Sequence, residues 1–180
     1  MANTKKVTTP TAAPTSEPIT KKAVKITDDM IINVKSGVFG TLVYVDRKTG
    51  EEVTWENEGD IQQVSFALLR SMKASQVAFM KDNWILIDSV EGQEDITAED
   101  VYKALFVQQY YKNIIDPDDY SVVCSWSLSD IEKKIPSLTK NAKTNLAIAL
   151  NTYIENGDLD SLKKIKAFEK ALDCSLCKPE

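Results

Sequence analysis

Cys174 and Cys177 are the residues whose type and spacing come closest to chemistry in this chain. A Cys-x-x-Cys pair is half of a tetrahedral zinc site. The other half needs two further thiolates or imidazoles. Only Cys124 remains, and the sequence contains no histidine. A redox pair would normally stand at a helix start beside a βαβ unit. This pair instead stands at the C-terminal end of the sequence. The three thiols are therefore expected to be incidental, and their odd number forms no disulfide framework. No metal or other cofactor is called for.

Other candidates fail on the same grounds. Asp116, Asp118 and Asp119 are close together, but a calcium loop needs further oxygen ligands at set positions, with a Gly and a late Glu. A solvated turn is expected there. Gly37 and Gly40 have a Gly-x-x-Gly spacing, yet no Lys-Ser/Thr follows, so the phosphate-loop pattern is absent. They are expected to serve turn geometry, where Gly tolerates positive φ. No nucleophile elbow, Walker loop or dinucleotide fingerprint occurs. Nothing singles out a carboxylate pair for acid–base work. The missing histidine removes His-based triads, His metal ligands and the usual base near neutral pH. No catalytic, cofactor-binding or metal-binding residue is named, and the chain is not expected to be an enzyme.

The elements that would position any site are more legible. Leu42-Val43-Tyr44-Val45 and Val53-Thr54-Trp55 have strand composition and flank the polar loop Asp46–Gly50, a hairpin signal. Gly50 suits the left-handed position that closes such a loop. Residues 26–34 read as a first strand, Ile61–Val64 as a third short one, and Trp84–Asp88 as another that could close a sheet with the hairpin. Ser65 is a candidate N-cap for a helix over Phe66–Lys73, and Gln76–Met80 for a further helical turn. Thr97 caps a helix with Asp100 at the third position and Ile96 packing on Val101, running to about Tyr111. Asp116-Pro117 stops it. Ser127 or Ser129 begins a short helix that ends at Pro136, and Thr139 caps a longer one with Leu146, Leu150, Tyr153 and Ile154 on one face. Asn156-Gly157 stops that helix. Asp158 is then read as the cap of a last helix with the stripe Leu159, Leu162, Ile165, Phe168 and Leu172, making a helical hairpin. The fold class expected is α+β. A flexible arm covers residues 1–24, a small antiparallel hairpin and sheet domain residues 25–92, and a helical part residues 93–180.

Composition bounds the partners. The 180 residues are 43% hydrophobic and 27% charged, ordinary for a globular chain. Residues 1–25 carry five lysines against Glu17, a charge of +4, which leaves −9 of the net −5 on the remainder. The arm is rich in Thr, Pro, Ala, Ser and Lys and too poor in apolar residues to offset its ordering entropy. It is expected to be a mobile tail, disordered when free; the alternative is an arm that orders on a neighbouring subunit or on an acidic surface. A helix-turn-helix reading of the last two helices meets an acidic start, Asp158-Leu159-Asp160-Ser161, where base-reading residues belong. Lys163, Lys164, Lys166 and Lys170 come later. A nucleic-acid-binding regulator using these helices and the basic arm is the alternative reading. No apolar run approaches the roughly 20 residues that span a bilayer. Nor is there an apolar secretory segment at the N-terminus, so folding in the cytoplasm is expected.

Two stretches carry a resemblance. One is Val34-Lys35-Ser36, Gly40-Thr41-Leu42-Val43-Tyr44-Val45, Thr49-Gly50, Trp55, Gly59, Leu69 and Asn83-Trp84-Ile85. The other is Leu159-Asp160-Ser161-Leu162-Lys163-Lys164-Ile165 with Phe168-Glu169-Lys170-Ala171-Leu172. Over about residues 30–176 the chain resembles small virion structural and assembly proteins of tailed bacteriophages, mostly of Gram-positive hosts. The resemblance implies a particle component, on the capsid or near the head–tail junction, assembled in host cytoplasm and present in several copies. It implies capsid, portal or neck proteins as partners, with no membrane and no nucleic acid. It carries no active-site residue.

Overall fold

The computed structural model describes residues 25–117 and 119–177. The arm expected over residues 1–24 lies outside the described residues, as does Asp118. The fold is α+β. Strand β1 (Ile31–Ser36) is central to a three-stranded antiparallel sheet, between β4 (Ile61–Ser65) and β5 (Ile85–Val90). Strands β2 (Leu42–Val45) and β3 (Glu52–Trp55) form a separate two-stranded hairpin. The helices are α1 (Phe66–Ser75), α2 (Ala78–Lys81), α3 (Ala98–Ala104), α4 (Leu128–Lys134), α5 (Lys140–Glu155) and α6 (Leu162–Leu172).

The alternation of strand side chains sets the first core. Ile32 and Val34 point inward with Val64, Ile87 and Val90, while Asn33 points outward and donates to Ser89 Oγ. On β2, Leu42 and Tyr44 are buried and Val43 and Val45 are exposed. Trp55 is fully buried, and its indole Nε1 donates to the Val34 carbonyl at 2.9 Å, fastening the hairpin to β1. Gly50 takes φ +75° and its N–H donates to Asp46 O, the left-handed closure expected of the loop. This cluster continues through α1, α2 and α3 to Tyr111. A second apolar cluster starts at Tyr120 and gathers Ile131, Ile135, Leu146, Leu150, Ile154, Ile165 and Phe168. The boundary drawn from sequence between residues 92 and 93 therefore falls inside the first cluster.

Several helix starts lie where side-chain chemistry puts them. Ser65 accepts from Leu68 N, and Thr139 from Ala142 N. Thr97 with Asp100, and Ser127 with Asp130, form reciprocal capping boxes. Ile96 and Val101 are both buried beside the first of these.

Five expectations need correction. The first strand begins at Ile31, because the chain turns through Asp28–Asp29 before it. The strand after Trp84 pairs with β1 and not with the hairpin; β1 has β4 and β5 on its two edges, so the hairpin has no edge of β1 to join. Helix α3 stops at Ala104 instead of about Tyr111. Phe106 takes φ +56°, and the chain turns so that Tyr111 OH donates to Ile85 O and Asn83 Nδ2 donates to Tyr110 O. Ser161, not Asp158, precedes α6, and it makes no side-chain cap bond. The Asp158 and Leu159 N–H groups both donate to Tyr153 O, which keeps that segment in a turn. Helix α6 also packs most closely on α4 and the 3-10 turn Ile135–Ser137, rather than pairing with α5, and Leu162 is 59% exposed.

Candidate functional site

The two clusters meet at a polar junction built on Gly37. This residue follows β1, and its N–H donates to Trp84 O at 2.8 Å. A Cβ here would stand 2.5 Å from Asn83 O, so only glycine permits the approach. The Gly37 carbonyl accepts from Asn141 Nδ2 and Asn145 Nδ2, both on α5. Asn145 Nδ2 also donates to Glu58 Oε1 at 2.6 Å, and Tyr120 OH donates to the same oxygen at 2.6 Å. Thr139 Oγ1 donates to Asp82 O. Glu58 thus lies in the turn after β3 and is held by groups from the second cluster. Burial, then the neighbouring Glu58 carboxylate, raises the Tyr120 phenol well above its ordinary range.

A second polar centre anchors the hairpin tip. Asp46 is 3% exposed. Its carboxylate accepts from Ser71 Oγ at 2.7 Å, Thr49 Oγ1 at 2.9 Å, Thr49 N and Tyr44 OH. Chiefly the Ser71 and then the Thr49 hydroxyl hold its pKa down to about 2. A groove beside it is lined by Asp28, Asp46, Lys48, Glu51 and Arg70, among others. Asp28 pairs with Arg70 there at 2.6 Å.

Lys35 is a third centre. It is 7% exposed on β1, with Nζ 3.5 Å from Asp88 and 3.8 Å from Asp116. Asp116 therefore ties the chain between the clusters to the sheet, and Asp119 accepts from Ser121 Oγ. These contacts fit a structural turn.

A concavity of about 710 Å³ is lined by Glu99, Tyr102, Gln108, Gln109, Tyr111 and Lys112. Its phenols are committed to the fold. Tyr102 OH accepts from Ile87 N, Tyr111 OH donates to Ile85 O, and the two rings stack at 3.9 Å. Burial raises Tyr102 to about 12 and Tyr111 in the same direction. Burial also raises the Cys124 and Cys174 thiols, the opposite of what a nucleophile or zinc ligand needs. Asp46, Tyr102, Tyr111, Tyr120, Cys124 and Cys174 are all shifted away from neutrality, whereas catalytic groups are tuned toward it.

The residues singled out by spacing are not brought together. Cys177 N donates to Asn151 Oδ1 and its Sγ contacts Glu155, while Cys124 lies on another segment, where its carbonyl accepts from Lys164 Nζ at 2.7 Å. Among the described residues no group of three His, Cys, Asp or Glu side chains could hold a metal. Gly40 has φ +94° in a turn. On α6, Lys163, Lys166 and Lys170 are exposed. Glu58, Asn145 and Lys35 gave no sequence signal, because their partners lie 53 to 108 residues away. No helix among the described residues is long and apolar enough to cross a membrane. Compared with protein-family models, with curated proteins and with solved structures, the chain finds no match.

Proposed function

We propose that this is a non-enzymatic structural or assembly protein of a tailed bacteriophage particle, placed on the capsid or near the head–tail junction and acting through protein contacts. The observation that supports it best is the use made of the polar groups. The buried carboxylate, amide and phenol groups at Asp46, Asn145, Tyr102, Tyr111 and Tyr120 spend their hydrogen bonds on holding the fold together. Apolar side chains meanwhile stand outside: Phe39 is 63% exposed, Phe106 75%, and Val43 and Val45 nearly half. Val43 and Val45 share one face of β2, and apolar side chains grouped on one exposed face suit contact with another protein. Charge favours a protein over nucleic acid, since residues 26–180 carry −9.

The test is co-sedimentation of the protein with capsids and with head–tail complexes, beside a DNA mobility-shift assay. Attachment to particles is expected, weakened by deleting residues 1–24. Tight, sequence-selective DNA binding without attachment would overturn the proposal in favour of a regulator.

A further inference from the structure

The chain leaves the first cluster at Tyr111 and enters the second at Ile115. A cavity of about 260 Å³ lies where this connection meets α4 and its flanks. One wall is Lys112, Ile114 and Ile115, from the connection. The other is Trp126, Lys134 and Leu138. Two features of this lining point to a ligand. The first is charge. Lys112 and Lys134 both line the cavity, and both are exposed. Lys134 Nζ stands 3.3 Å from Asp130, but that carboxylate also caps α4, accepting from Ser127 N and Oγ. An anion held by the two ammonium groups gains charge-assisted hydrogen bonds. The second is aromatic surface. Lys134 Nζ lies 4.6 Å from the centre of the Trp126 ring, within cation–π range, so an ammonium group and an indole share one wall. Ile114, Ile115 and Leu138 make the rest of the lining apolar. The groove at Asp46 and the concavity at Tyr111 instead carry carboxylates, Asp28 and Glu51 in one and Glu99 in the other.

We propose that this cavity binds a compact aromatic carboxylate, its ring against Trp126, Ile115 and Leu138 and its carboxylate held by Lys112 and Lys134. Aromatic pairs favour offset or edge-on contact, which a ring beside a cation-covered indole can make. Size agrees. Ligand pockets run from about 300 to 1,000 Å³. A cavity of about 260 Å³ therefore suits an acid of one or two fused rings better than a dinucleotide or a long peptide. Two sources share this chemistry: a free aromatic acid, and a partner chain that ends in an aromatic residue. One wall belongs to the connection and the other to the second cluster, so a ligand ties them together and stabilises the fold by linkage. The particle-assembly reading is not needed for this inference, and the test uses the isolated full chain.

NMR titration of the full chain with naphthoate tests it. Saturable shifts are expected at the Trp126 indole N–H and at the amides of residues 112–115. The expected Kd is about 1 mM or tighter, which about a dozen heavy atoms reach at ordinary ligand efficiency. Uncharged naphthamide should bind at least about tenfold more weakly, and so should naphthoate to Lys112→Gln with Lys134→Gln. Lys112→Arg with Lys134→Arg keeps both charges and should keep binding. Both lysines are exposed, and unchanged shifts away from the cavity report an intact fold in each variant. Two forms of the ligand separate the sources. Naphthoate binding more tightly than N-acetyl-phenylalanine supports a free acid, and the reverse order supports a chain terminus. Four results would each overturn the proposal: no saturable shift up to about 10 mM, shifts centred on another part of the molecule, equal affinity for acid and amide, or equal binding of inorganic phosphate at the same residues. The last two would leave only an apolar patch or a simple anion site.

Discussion

The two apolar clusters are built by opposite means. The first, from Ile26 to Tyr111, depends on partners far apart in sequence: Ile32 lies opposite Val64 and Val90, and the Trp55 indole reaches Val34. The second, from Ile115 to Leu176, is assembled from helices whose starts are fixed three residues away, at Ser127 with Asp130 and Thr139 with Ala142. Charge divides them too. Residues 26–111 hold fifteen acidic and seven basic side chains, and residues 112–177 ten and nine. The first region is thus an acidic platform, and the second a nearly neutral brace joined to it through Gly37, Glu58 and Asn145. The contrast teaches that helix starts set by a side chain three residues away can be drawn from sequence, while pairing between distant segments cannot.

The largest expected effect falls on the tryptophan that locks the first region. Trp55→Ala should cost about 3–5 kcal/mol in urea unfolding, through the lost indole and its hydrogen bond. Trp84→Ala should cost less, since Trp84 is only partly buried against Phe79. Equal small losses, below about 1 kcal/mol for both, would contradict the core described here.

Gly37→Ala comes next, at about 1–3 kcal/mol, because the new methyl meets a backbone carbonyl that must move. This variant addresses the comparison itself. If the junction couples the regions, tryptophan fluorescence and far-UV dichroism of the native chain trace one transition, and in the variant they separate. Two transitions already present in the native chain would show that the regions are independent.

Acid sensitivity sharpens the account of the hairpin. The folded pKa of Asp46, about 2, lies below the usual 3.8. The folded state therefore binds this proton less readily than the unfolded chain, and the stabilisation is complete above about pH 4 and lost as pH falls through 2. Asp46→Asn should lower stability at neutral pH and flatten its decline between pH 4 and 2. An unchanged slope would mean that other carboxylates, such as Asp130, set the acid limit. The smallest effect is expected at Cys174 and Cys177: replacing both by serine should change stability by less than about 0.5 kcal/mol and leave no metal requirement.

Much of the fold was legible because its signals are local. Gly50 closes the hairpin, and Ser65, Thr97, Ser127 and Thr139 mark helix starts, since a hydroxyl and the amide three residues on form a short-range unit. Pairing was not legible. Periodicity shows which side of a segment is apolar but not which segment covers it, so the strand after Trp84 is drawn to the hairpin when β1 is its partner. The α3 terminus eluded sequence reading for the same reason. Phe106 turns left-handed so that Tyr111 can reach Ile85, a distant partner. Of the polar centres, the Asp46 loop was visible as a turn; Gly37 was read as a turn glycine, whereas it is the close approach of Asn83 O that excludes a side chain there, and Lys35, Glu58 and Asn145 look like ordinary surface residues until the chain is folded.

The central claim is that this chain is a particle component. Quantitative mass spectrometry of purified phage particles, beside the cleared lysate of the same infection, tests it most directly. The account predicts peptides of this chain in the particles, in a fixed ratio to the portal or major capsid protein and retained after a high-salt wash. Abundant protein in the lysate with none in the washed particles would contradict it.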